Sequence, residues 1–324
     1  MRIIFKAISS ALVASVFLFI AEFALDASAF GVGKNMFRYL ILGLDDAASN
    51  SDSVMLLTYN SDGNTSSVIQ IPRDTYCKTS SGINKINSIY ASKKASGLSD
   101  KAALEKTKEF ISENLGVRFD GCLALRLIDL VKLVDAFDGV VINLPEDVHF
   151  YDKQGNLIRS FKAGENRLTG EDAAFFVRYR AGYANGDLGR LDAQKIFLNA
   201  LITTALHNTG VDELLDIAKV FSDNAITDIK AREVLGMVLK HSSKFRDTAV
   251  TYLTMPGMPV ADKSGAWYYV LNRKSSVSVL QKHLYSDVNS FDKDRAFLNQ
   301  NNKSFSDIYF SESIEWKEYH SFER

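Results

Sequence analysis

From residue 37 onward the chain alternates short apolar runs with amphipathic stretches. Residues 37–42, Phe-Arg-Tyr-Leu-Ile-Leu, are mostly apolar and stop at Gly43, the pattern of a buried central strand. Residues 54–59 and 66–71 predict two further strands. The Asp62-Gly63 pair between them suits a hairpin turn, so the sheet is expected to contain an antiparallel pair. Ser99 is placed to cap a helix that runs to Leu115 and stops at Gly116, and residues 127–137 predict a second helix ended by Asp138-Gly139. A strand returns at 140–144. Thr169 caps the next helix, with Glu171 and Asp172 in a first turn whose dipole favours carboxylates, and residues 191–206 carry a broad apolar helical face. Helices are also expected at 212–221 and 229–240, and strands at 249–253 and 267–271. After Tyr285 the composition turns polar and rich in Ser, Asn and Lys, which predicts a loosely held tail over 286–324. No repeat or composition break interrupts the alternation, so residues 31–285 read as a single α/β domain, with a mixed central sheet flanked by helices in three layers.

Residues 1–30 stand apart. Arg2 and Lys6 precede an apolar run at 7–21, and Ala27-Ser28-Ala29 has the small-residue character of a cleavage site. The run falls short of the ~20 apolar residues a bilayer span needs unless residues 3–25 all count. Two readings therefore stand: a cleaved signal peptide, which leaves a secreted protein, and an uncleaved single-pass anchor in the cell membrane. Both place everything after Phe30 outside the cytoplasm.

The 324 residues carry 38 Lys+Arg against 39 Asp+Glu, a net charge of -1 that removes the general electrostatic case for a nucleic-acid partner. Two cysteines exclude a disulfide scaffold or a Cys-rich zinc module; Cys77 and Cys122 are either paired or free buried thiols. Five histidines without paired spacing offer no zinc site, and Trp267-Tyr268-Tyr269 reads as strand packing.

Chemistry belongs where charge interrupts the apolar elements. Gly43-Leu44-Asp45-Asp46 ends the first strand and Asn50-Ser51-Asp52-Ser53 precedes the second, so carboxylates fall at neighbouring strand ends. Asp45, Asp46 and Asp52 read first as turn formers, which Asp commonly is, and otherwise as ligands of a cation. Ile71-Pro72-Arg73-Asp74-Thr75 ends the third strand with an Arg fork suited to phosphate, the alternative being an Arg73–Asp74 surface pair. Arg178-Tyr179-Arg180 follows the apolar face of Ala173, Phe176 and Val177, and Gly186-Asp187-Leu188-Gly189-Arg190 leads into the next helix. Four arginines outside helix interiors suggest an anion site, set against scattered solvated charges.

In order and context these segments, with Asn84-Lys85-Ile86-Asn87, Tyr90-Ala91 and Gln194, resemble the LytR-CpsA-Psr family over roughly residues 35–210, with a weaker echo at Trp267-Tyr268-Tyr269-Val270. The resemblance implies a membrane-anchored, extracytoplasmic phosphotransferase that moves a glycopolymer, such as teichoic acid or capsule, from a polyprenyl diphosphate carrier to peptidoglycan. It also implies a long apolar pocket for the lipid. The partners it implies are the lipid-linked glycan, peptidoglycan and the membrane, with no nucleic acid. By position, Asp45 and Asp52 would hold Mg²⁺, and Arg73, Arg178, Arg180 and Arg190 would contact the diphosphate. Lys85, Asn87 and Gln194 would bind substrate, and the general base would be Asp74 or Asp187. Asn50 and Ala193 stand where the family usually has Arg, which makes the site less positive. Two other readings are a protein that binds lipid-linked glycan without transferring it and a transcriptional regulator, a label some family members carry. The second fits poorly with an export segment and a net charge of -1.

Overall fold

The computed structural model describes residues 36–45, 50–60, 62–152, 154–179, 187–208, 226–229, 248–261, 265–284 and 318–320. Residues 1–30 and the helices expected at 212–221 and 229–240 lie outside the described residues, Ile229 excepted. The chain divides into two compact units: one formed by residues 26–126, 225–229 and 248–324, the other by 1–25, 127–224 and 230–247.

The first unit is built on a seven-stranded mixed sheet. Its strands are β1 (Met36–Leu44), β2 (Ser51–Asn60), β3 (Thr65–Ile71), β6 (Gly121–Arg126), β11 (Ile226–Thr227), β12 (Ala249–Thr254) and β15 (Glu318–His320), in the order β11-β6-β1-β2-β3-β12-β15. The expected hairpin is present: β2 pairs antiparallel with both β1 and β3. β6 runs parallel to β1, and β12 parallel to β3. Leu40, Leu42, Leu44, Leu56 and Ile69 join one core with Ile89 and Tyr90 of α1 (Ser88–Ala95), Leu104 and Ile111 of α2 (Asp100–Leu115), and Val279 and Leu280 of α6 (Arg273–Leu284). The alternate residues of β1, Phe37, Tyr39 and Ile41, are buried as well, which is why this strand reads as a continuous apolar run.

Ser99 caps α2 by accepting the Ala102 N–H at 3.3 Å, and Gly116 ends it at φ 65°, a left-handed conformation a side chain resists. Within the tail, β15 adds an edge strand against β12. Cys77 and Cys122 are free and buried, and burial pushes the Cys77 thiol up to about 12.

The topology brings chemistry to one sheet end. β1, β3, β6 and β12 all run the same way, so Leu44, Ile71, Arg126 and Thr254 lie at their common carboxyl end, where ligands of α/β sheets collect. β2 starts there.

The second unit holds α3 (Leu127–Ala136), β7 (Val140–Leu144), β8 (Val148–Tyr151), β9 (Leu157–Phe161), β10 (Gly164–Leu168), α4 (Gly170–Arg178) and α5 (Asp187–Asn208). β7 pairs with β10 and β8 with β9, both antiparallel. Strands β8 to β10 carry no strand signal in the sequence, because each has only four or five residues and none alternates buried apolar with exposed polar positions over a readable length.

Candidate functional site

Strand register builds the charged sheet end. Val54 of β2 lies opposite Ile71 of β3. Two residues before Val54 is Asp52, and two after Ile71 is Arg73, so the ladder brings them side by side. Arg73 Nη1 donates to Asp52 Oδ1 at 2.5 Å, with the two side chains 17% and 26% exposed. The Arg73–Asp74 pairing weighed from sequence is not formed; Asp74 Oδ1 lies instead 3.0 Å from Lys85 Nζ. A tight turn carries Arg73 and Asp74 at its centre: Thr75 donates its N–H and its hydroxyl to the Pro72 carbonyl, at 2.9 and 2.6 Å.

Asn87 serves this end through its backbone. Its N–H donates to the Arg73 carbonyl at 3.1 Å, and its carbonyl accepts the Ser51 N–H at 3.0 Å and the Ser51 hydroxyl at 3.2 Å. Ser51, buried at the start of β2, was missed from sequence; its neighbours Asn50 and Asp52 drew the attention there. Asn87 occupies the N-cap position of α1 without making a side-chain cap bond. Asp45 donates its N–H to the Asn50 carbonyl at 3.1 Å, closing the β1–β2 connection. Asp45 and Asp52 thus flank one strand-end pair. Among the described residues no group of three or more His, Cys, Asp and Glu is gathered for a metal.

Lys85 ends the hairpin of β4 (Tyr76–Thr79) and β5 (Gly82–Lys85), which pair antiparallel. A second hairpin, β13 (Gly257–Ala261) with β14 (Trp267–Leu271), closes on this region: the Tyr269 N–H donates to the Asp74 carbonyl at 2.9 Å. The Trp-Tyr-Tyr run is therefore more than strand packing. Tyr269 is core, Trp267 is exposed, and the Tyr268 ring lies 5.6 Å from Lys85 Nζ.

In the second unit the candidate residues sit on α4 and α5. A capping box starts α4: the Thr169 hydroxyl accepts the Asp172 N–H while the Asp172 carboxylate accepts the Thr169 N–H. Asp135 Oδ1 accepts the Gly170 N–H at 2.7 Å, and a Cβ at Gly170 would come within 2.3 Å of the Val131 carbonyl oxygen, so α3 and α4 approach to a distance only glycine allows. The far end of α4 is fixed by aromatic packing. Phe150 is fully buried, with ring centroids 5.9 Å from Phe161, 5.1 Å from Phe175 and 4.7 Å from Tyr179, and the Tyr179 hydroxyl donates to the Tyr151 carbonyl.

Arg178 is the exposed last residue of α4. Gln194 Nε2 donates to the Val177 carbonyl at 2.9 Å, tying α5 to the residue before Arg178. α5 begins at Asp187, four residues earlier than expected, in keeping with the preference for an acid at a helix N-terminus. Arg190 is consequently inside its first turn, and at 1% exposure it is neither outside a helix nor a solvated charge. Arg180 lies outside the described residues, as does the side chain of Asp187.

The LytR_cpsA_psr family profile matches residues 23–284. Over 268 residues the chain is 27% identical to the polyisoprenyl-teichoic acid–peptidoglycan teichoic acid transferase TagV of Bacillus subtilis, covering 78% of this chain and 65% of that protein's length. It is 25% identical over 248 residues to the transferase of the corresponding name, TagU, of Bacillus cereus, covering 75% and 76%. The crystal structure of Bacillus subtilis TagV superimposes with a TM-score of 0.63 at 25% identity, covering 79% of this chain and all of that one.

Proposed function

The chain belongs to the LytR-CpsA-Psr family, and on that premise we propose that it transfers a glycopolymer from a polyprenyl diphosphate carrier to peptidoglycan on the outer side of the cell membrane. The observation that carries the reading is the charged sheet end, where Asp52, Arg73, Asp74 and Lys85 converge in two ion pairs in a chain whose relatives are named teichoic acid transferases. In the reaction, a sugar hydroxyl of the acceptor attacks the glycan-bearing phosphorus. The new P–O bond forms as the bridging P–O bond breaks, and polyprenyl phosphate leaves. Such transfers depend chiefly on positioning and on neutralising the equatorial oxygens.

Arg73 supplies two parallel donors for diphosphate oxygens from a site where Asp52 already orients its guanidinium. Lys85 adds a point charge beside Asp74. Arg178, Arg180, Arg190 and Asp187 belong to the second unit, and Asp74 is the first unit's candidate to take the hydroxyl proton. By the resemblance Asp45 and Asp52 would hold Mg²⁺, which needs only one or two carboxylates when phosphate and water complete its shell, and which would supply further charge neutralisation on the diphosphate. Residues 1–30 serve as the anchor.

The test is release of polyprenyl phosphate from a lipid-linked glycan in the presence of peptidoglycan fragments. Release that depends on both acceptor and Mg²⁺ is expected. Tight binding of the lipid without release would make the protein a carrier, and full activity in a chelator would remove the metal. In sealed inverted membrane vesicles the protein should resist added protease; digestion would place it in the cytoplasm.

A further inference from the structure

Lys85 is a long, flexible cation, and its use at the sheet end depends on what holds it there. Asp74 takes one side of the ammonium, at 3.0 Å. The Tyr268 ring takes another, with Nζ 5.6 Å from the centroid, inside the ~6 Å reach of a cation–π contact. Tyr268 is in turn fixed. Its edge-on partner is the buried Tyr76 at 5.8 Å, Val270 and Val260 complete that small cluster, and Tyr76 lies opposite Lys85 in the β4–β5 ladder. The next residue along β14, Tyr269, is bonded through its N–H to the Asp74 carbonyl and through its hydroxyl to the Met255 carbonyl at 3.0 Å. One short strand thus grips the backbone of Asp74 and presents a ring to its partner cation.

From this geometry we infer that Tyr268 is a positioning residue for the transfer reaction: its ring face holds the Lys85 ammonium beside Asp74, so that the β13–β14 hairpin, far along the chain, sets where that charge meets the diphosphate-linked substrate. The inference rests on the reading above, in which Lys85 binds substrate. The ring, rather than the hydroxyl, does this work, and phenylalanine can replace it.

The experiment measures transfer by the full-length protein against concentration of the lipid-linked glycan, for the parent, Tyr268→Phe, Tyr268→Leu, Lys85→Met and the double variant Tyr268→Leu/Lys85→Met, at matched melting temperatures. Tyr268→Leu should raise KM about two- to five-fold, with kcat little changed, and Tyr268→Phe should match the parent. In the Lys85→Met background the leucine substitution should add nothing further, because the cation it positions is gone. In proton–carbon correlation spectra of protein with carbon-13-labelled lysine, the Lys85 ε-methylene protons should sit upfield in the parent and in Tyr268→Phe, and return to the ordinary lysine position in Tyr268→Leu. A parental KM for Tyr268→Leu, equal impairment by Phe and Leu, or additive effects with Lys85→Met would overturn the inference. A parent that releases no polyprenyl phosphate would overturn the proposed function instead, and the lysine spectra would still report on the contact.

Discussion

At the sheet end, Arg73 and Asp52 meet across strand register and stay 17% and 26% exposed, whereas in the helical unit Arg190 is 1% exposed within the first turn of α5. The first pair is placed by the β2–β3 ladder, whose hydrogen bonds run between backbone atoms. Arg178 and Gln194 are placed by caps, by the Gly170 approach and by the rings around Phe150. Substitutions at the sheet end should therefore change chemistry and spare the fold, while those at the Thr169 cap, the Gly170 approach and the Phe150 rings should reach the chemistry only by loosening the fold.

The largest test of that contrast is Phe150→Ala. Removing a fully buried ring with three aromatic neighbours should cost about 3–5 kcal/mol of stability in denaturant titration, with transfer falling as the folded fraction falls. Next comes Arg73→Ala. Loss of a forked charge-assisted contact, at roughly 1.5–3 kcal/mol, predicts a ten- to hundredfold fall in polyprenyl phosphate release with the unfolding midpoint nearly unmoved. Arg73→Lys should fall between this variant and the parent. If Arg73→Ala unfolds the protein, or Phe150→Ala leaves stability intact while abolishing transfer, the two regions have been assigned the wrong way round.

The smallest effect is one of pH, at a carboxylate outside the Arg73–Asp52 pair, 3.8 Å from Arg126 at the sheet end. The Lys94 ammonium, and after it the Tyr90 hydroxyl, hold the Asp100 carboxyl below its ordinary value of 3.8. A depressed carboxylate contributes stability that is present above the ordinary value and is lost as pH falls through the native one. Stability should thus sag below about pH 4, and Asp100→Asn should remove that part of the slope. The size is below about 1 kcal/mol, because the pair is partly exposed. An unchanged acid limb in Asp100→Asn would show that these partners do not tune it.

Much of the fold was legible because it is local. The apolar run of β1, the Asp62-Gly63 hairpin, Ser99 with Gly116, and the Thr169 cap each specify an element from residues a few positions apart. The short strands β8, β9 and β10 were not, since a five-residue strand with exposed polar positions has no period long enough to read. The start of α5 was placed late because Leu188 and Gly189 show no helical face of their own.

Composition and motif order sufficed to determine that the chain is α/β, that its charges cluster at element ends, and which family it resembles. Tertiary structure alone decided the pairings. Arg73 is bonded to Asp52 rather than to its neighbour Asp74, Lys85 lies between Asp74 and the ring of Tyr268 far along the chain, and Arg190 is buried. The physical reason is that a charged side chain chooses its partner by distance in space: the Asp62-Gly63 turn sets the β2–β3 register, but whether Arg73 turns to Asp52 or to Asp74, and which hairpin closes over Lys85, is settled only when the strands pack.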